Sequence, residues 1–194
     1  TNNKLEEFIR KCLTLPEEIL YQSVESTPSW LNYEQEIFEN ANGPLALLTR
    51  EIEKISGGEN INFISLGCGS GAKDVLIINM LQPNERTVGY FPVDQSYTLL
   101  ENAIEEILGR INADDLFVRG IRADFRQLRS FSDIFTNQLS KNLLSLLGCT
   151  LGNYDEVSLL GTISACMNEG DLFILEVGNV FDELETKMDG DIIE

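Results

Sequence analysis

The sequence predicts an α/β fold, a doubly wound and mostly parallel sheet with a helical N-terminal appendage. Three observations predict it. From residue 60 onward, short apolar runs alternate with amphipathic segments, which is how βαβ units of a parallel sheet read. The first run, Ile61–Leu66, leads directly into the glycine turn Gly67-Cys68-Gly69-Ser70-Gly71-Ala72 and then a helix. Residues 1–56 lack such runs and carry apolar residues at helical spacing.

In chain order, Leu5, Phe8, Ile9, Cys12 and Leu13 form one helical face. Leu15-Pro16-Glu17-Glu18 restarts a helix, with proline and acids in its first turn. After Thr27-Pro28, Ser29 caps a helix bearing Trp30, Tyr33, Ile37 and Phe38, and Pro44 opens another that stops at Ser56-Gly57-Gly58. Strands are then expected at Ile61–Leu66, Thr87–Val93, Leu116–Arg122, Asn142–Leu147 and Leu172–Val177. The intervening helices are Ala72–Leu81, Tyr97–Leu108 (ended by Gly109), Phe125–Asn137 and Asp155–Met167. Three segments follow: 1–58 helical, 59–180 the α/β domain, and 181–194 an acidic tail or the opening of a further segment.

The 194 residues suffice for one domain with a core needing no disulfide or metal. The formal charge of -18 argues against nucleic acid or an anionic membrane as partner, since both call for a basic surface. The sequence has four cysteines, none in a C-x-x-C pair, and no histidine. This argues against a zinc site, excludes histidine acid–base chemistry and suggests a reducing, cytoplasmic setting. No apolar run reaches the ~20 residues of a membrane helix.

The chemistry-bearing residues fall at successive strand tips. A strand, a glycine turn and a helix start direct backbone N–H groups and a positive helix end toward an anionic or nucleotide-like ligand. The turn satisfies both G-x-G-x-G and the dinucleotide pattern G-x-G-x-x-A, so alone it leaves two cofactors open. Lys73, the turn's nearby cation, suits a ligand carboxylate or plain solvent. Asp94, in Pro92-Val93-Asp94-Gln95-Ser96, suits two ribose hydroxyls or the cap of the next helix. Asp124-Phe125 suits adenine, the carboxylate taking the exocyclic amine and the ring covering a face; alternatively it is a cap followed by a core aromatic. Asn153, in Leu147-Gly148-Cys149-Thr150-Leu151-Gly152-Asn153, either orients a polar substrate or starts a helix. Cys68 and Cys149 read as small packing residues, with no base beside either.

Taken together, Leu66–Lys73, Pro92–Ser96, Ala123–Phe125 and Leu147–Asn153 resemble the histidine-specific S-adenosylmethionine-dependent methyltransferase family. The resemblance covers roughly residues 60–180. It implies a Rossmann-like methyltransferase fold and a cofactor site of Gly67, Cys68, Gly69, Lys73, Asp94, Gln95, Asp124 and Phe125. Gly67 and Lys73 would hold the methionine end, Asp94 the ribose, and Asp124 with Phe125 the adenine. Asn153 would contact the substrate, with Tyr33 the candidate for the family's substrate-contacting tyrosine and Tyr21 second. The implied reaction moves a methyl group to an amine of a small, histidine-like amino acid. The family's insertion and last two strands have no counterpart before Glu194. Two other readings stay open: a NAD-dependent oxidoreductase using the same glycine turn, and a methyltransferase-like module that binds cofactor without turnover.

Overall fold

The computed structural model describes residues 31, 60–82, 87–112, 116–136 and 141–177. The N-terminal helices, Tyr21, Tyr33 and the acidic tail lie outside them. Six parallel strands form one sheet: β1 (Ile61–Leu66), β2 (Val88–Asp94), β3 (Leu116–Val118), β4 (Ile121–Arg122), β5 (Lys141–Leu146) and β6 (Leu172–Leu175). Their order is β3-β2-β1-β5-β6, with β4 also paired to β2. β1 is central and runs in register with both neighbours, Leu66 lying opposite Val93 on one side and Leu146 on the other. Every residue of β1 and β2 is buried, which is why these strands read as unbroken apolar runs rather than alternating ones.

Successive side chains point to opposite faces of a strand, and two cores result. Ile61, Phe63, Val88 and Tyr90 pack on one face against Ile77, Ile78 and Leu81 of α1 (Ala72–Leu81) and Ile107 of α2 (Tyr97–Arg110). Ile64, Leu66, Phe91 and Val93 pack on the other. Their partners there are Phe125 and Leu128 of a short 3₁₀ helix (Phe125–Ser130), Phe135 of α3 (Asp133–Thr136), and Leu159 and Ile163 of α4 (Glu156–Ser164). Each fully buried side chain of this size contributes about 1.5–3 kcal/mol. The cross-overs therefore change face between β1 and β5, which makes the carboxyl ends of those two strands the switch point, where ligands bind in such sheets.

Several boundaries depart from expectation. The third strand is split into β3 and β4, which pair with β2 at Val88–Tyr90 and at Val93–Asp94. The expected helix over Phe125–Asn137 is a 3₁₀ turn followed by one turn of α3. Gly109 does not end α2, which continues to Arg110, because the residue lies in open space and stays helical.

Candidate active site

The turn after β1 has Gly67, Gly69 and Gly71 all at positive φ (69°, 54° and 80°). Its backbone is largely occupied by its own fold. Gly67 and Cys68 donate their N–H groups to the Val93 carbonyl at 2.8 and 3.3 Å, and Gly71 donates to Cys68 at 3.0 Å. Ala72 N–H meets Ser70 Oγ. Gly67 and Cys68 thus bond to the end of β2, and Gly71 and Ala72 to the turn itself. The Cys68 side chain is buried against Leu100 and Ala103 of α2, in keeping with a packing role.

The carboxylate-binding donors lie elsewhere. Lys73, in the first turn of α1, is only 7% exposed. Its Nζ pairs with Glu176 Oε2 at 2.5 Å. The same oxygen accepts the Gly148 N–H at 2.7 Å. Glu176 follows β6, and Gly148 opens the 3₁₀ helix Gly148–Asn153 after β5. One carboxylate oxygen thus joins the tips of three neighbouring elements at the switch point. The loops after β1 and β5 also meet there, since a Cβ on Gly67 would lie 3.4 Å from Thr150 Cγ2 and 3.6 Å from Phe125 Cε1.

Asp94 ends β2 and is buried at 8% exposure. Its Oδ1 accepts Ser96 N–H at 2.8 Å, and Ser96 in turn caps α2 through Leu99 N–H. The cap of α2 is therefore Ser96 and not Asp94, whose carboxylate instead holds the turn leading to that cap. Gln95 is half-buried, and its carbonyl accepts a bond from Arg122 Nε at 3.2 Å. Asp124 caps the 3₁₀ helix through Arg126 N–H at 2.9 Å and is clasped by the Arg126 guanidinium, with Nε at 2.8 and 3.0 Å from its two oxygens. The expectation of an adenine-facing carboxylate met here a local ion pair two residues apart. Phe125 is 3% exposed and sits in the core beneath Gly67, its ring 5.0 Å from that of Tyr154. That burial suits a floor under the turn better than an open stacking face.

Asn153 is exposed at the end of its 3₁₀ helix, beside Tyr154. The Cys149 side chain lies outside the described residues. Tyr154 escaped the sequence reading. Its ring lies 5.0 Å from that of Phe125 and 5.6 Å from the Arg126 guanidinium, and its buried Oη has no hydrogen-bond partner among the described residues. Asp74 also escaped it. This buried carboxylate accepts Ser65 Oγ at 3.0 Å and Tyr90 Oη at 2.6 Å, tying α1 to β1 and β2. Burial and then the Asp74 charge hold the Tyr90 phenol well above its usual range. The only sequence signal for Asp74 was a carboxylate on the inward face of a helix.

The polar groups are of the kinds that a nucleoside bearing an amino acid with a free carboxylate would need. Lys73 Nζ and Gly148 N–H are matched to a carboxylate, while Asp94 and Asp124 can accept from hydroxyl and amine groups because each carboxylate offers about four acceptor sites. An added Cβ on Gly148 would meet nothing within 4 Å among the described residues.

Residues 14–185 match the family of histidine-specific, SAM-dependent methyltransferases. The chain is 27% identical over 96 residues to Ergothioneine biosynthesis protein 1 of Schizosaccharomyces pombe, a match spanning 49% of this chain and 12% of the yeast protein. A Methanococcus maripaludis protein described as an S-adenosyl-L-methionine-dependent methyltransferase superposes with a TM-score of 0.52 at 14% identity, covering 87% of this chain and 71% of that one. The plantazolicin methyltransferase BpumL, solved with SAH, gives a TM-score of 0.52 at 14% identity, covering 100% and 67%. These two likenesses are of fold.

Proposed function

Because the chain belongs to the histidine-specific, SAM-dependent methyltransferase family, we propose that it transfers a methyl group from S-adenosylmethionine to an amine of a small, histidine-like amino acid. The observation that carries this reading is the buried Lys73 ammonium beside the Gly148 N–H at the β1/β5 switch point, with the Asp94 carboxylate one strand away. When bound, S-adenosylmethionine supplies an activated sulfonium methyl. The chain's own residues supply placement. Lys73 and Gly148 hold the carboxylate end, Asp94 the ribose and Asp124 the adenine amine. Gly67, Cys68, Gly69 and Gln95 shape the wall between them, and Phe125 supports it from below. Asn153 and Tyr33 remain the proposed substrate contacts. With no histidine in this sequence, the amine's proton is proposed to leave through a carboxylate, a tyrosine or a bound water.

Thermal unfolding with S-adenosylhomocysteine and with NAD tests the cofactor. At ~100 times its Kd, a ligand selective for the folded state adds about 2.7 kcal/mol. The expected result is a clear upward shift with S-adenosylhomocysteine, its loss in Asp94→Ala, and no response to NAD. A shift with NAD alone overturns the proposal. Transfer of labelled methyl from S-adenosylmethionine to histidine, set against other amino acids, tests the acceptor. The yeast relative's name, Ergothioneine biosynthesis protein 1, supports histidine as the first acceptor to try.

A further inference from the structure

Lys73 and Glu176 lie 103 positions apart in sequence yet share the best-placed carboxylate-binding geometry in the described residues. Lys73 Nζ and Gly148 N–H converge on one oxygen, Glu176 Oε2, at 2.5 and 2.7 Å. Lys73 lies in the first turn of the helix that follows β1 and Gly148 opens the 3₁₀ helix that follows β5, at the carboxyl ends of those strands, where the fold presents its ligand crevice. The acceptor comes from the end of β6, and its side chain is 26% exposed against 8% for Lys73. A buried ammonium without a counter-charge is destabilising, so in the folded chain a carboxylate beside Lys73 is favoured, whether Glu176's or a ligand's.

We infer that Glu176 is the chain's own occupant of the carboxylate subsite already assigned to Lys73 Nζ and Gly148 N–H, and so competes with the ligand for it. The inference rests on the S-adenosylmethionine reading and adds a residue and a selection rule to it. A ligand carboxylate that reaches the subsite takes over both donors together, so neither is left unpaired in the exchange. Glu176, the more exposed partner, swings toward water, where its charge is solvated. The exchange replaces one carboxylate by another, and its net free energy is the small difference between two similar arrangements. Glu176 therefore sets which ligands bind well. A ligand with its own carboxylate displaces it. A nucleoside without one must bind with Glu176 in place and gains nothing from Lys73.

The test compares S-adenosylhomocysteine with methylthioadenosine, which keeps the thionucleoside and lacks the amino-acid end, by calorimetry on wild type and Glu176→Gln. The amide that this substitution introduces keeps an acceptor for the Gly148 N–H and removes the charge that competes for Lys73. The expected result is S-adenosylhomocysteine binding about tenfold tighter to E176Q than to wild type, with methylthioadenosine unchanged. Equal effects on both ligands, or weaker S-adenosylhomocysteine binding in the variant, overturn the inference while leaving the cofactor reading intact. Failure of S-adenosylhomocysteine to bind wild type overturns the cofactor reading and this inference with it. A second measurement needs no variant. The Glu176 carboxyl carbon resonance of the wild-type protein shifts when S-adenosylhomocysteine is added and stays put with methylthioadenosine. An unmoved resonance at saturating S-adenosylhomocysteine overturns the inference.

Discussion

Gly71 lies so close to Ala103 that a methyl group on Gly71 would stand 2.8 Å from the Ala103 Cα and 3.0 Å from its carbonyl oxygen. The third glycine of the turn is therefore a contact between the start of α1 and the middle of α2. It is held there at φ 80°, a conformation that costs any residue with a Cβ roughly 1–2 kcal/mol.

Gly71→Ala is expected to destabilise the domain by about 3 kcal/mol or more, the left-handed backbone and the overpacking against Ala103 adding together. Gly148→Ala is the control. It has φ 75°, and an added Cβ would meet nothing within 4 Å among the described residues, so the backbone cost of about 1 kcal/mol is what applies. Urea unfolding of both variants checks the difference, and equal losses would remove the packing argument.

Tyr90→Phe removes one of the hydroxyl donors to the buried Asp74 carboxylate, with an expected loss of about 1–3 kcal/mol near neutral pH. The pH dependence has a definite sign. The Tyr90 phenol is held above 10.0 in the folded chain, mainly by burial and then by Asp74. The folded state therefore keeps a proton that the unfolded chain releases, and this contribution is whole below pH 10.0 and is lost as the pH climbs toward the folded value. Wild type should lose stability in that alkaline range and Tyr90→Phe should lose less. Unfolding free energies measured on either side of pH 10.0 provide the check.

Arg126→Met breaks an ion pair whose guanidinium is 45% exposed. Solvent screening holds the expected cost to under about 1 kcal/mol. Asp124→Ala loses the pair together with the cap on Arg126 N–H, and about 1 kcal/mol more is expected. Asp124→Asn should recover most of the capping part. Chemical denaturation of the three variants orders them, and an Arg126→Met cost equal to that of Asp124→Ala would place the stability in the ion pair.

Much of the fold was legible because β1 and β2 are buried on both faces and Gly67–Gly71 punctuates the switch from strand to helix. Asp124 was legible as a cap too, since it precedes its helix and accepts a backbone N–H from it, whereas the cap of α2 was expected at Asp94 and is Ser96, and Asp155 caps the helix that it was expected to begin. The pairings that define the site were not. Glu176 meets Lys73, and Tyr90 meets Asp74, only because the strand order places β1 between β2 and β5, and no local pattern encodes that order. The break at Arg119-Gly120 was hidden for another reason: a Cβ on Gly120 would stand 2.8 Å from Ile104 Cδ1, a close approach to α2 that a periodicity scan does not register.

The central position of β1 also dictates an order of assembly. Its first neighbour, β2, follows within a few dozen residues, but its other neighbour, β5, begins only at Lys141. During synthesis at ~5–20 residues per second, β1 waits several seconds with one edge bare. The Lys73–Glu176 contact waits longer still, for the end of β6. The crevice is thus a late product of folding, and a ribosome-bound chain that has completed β1, α1 and β2 already carries the glycine turn but not yet the carboxylate subsite.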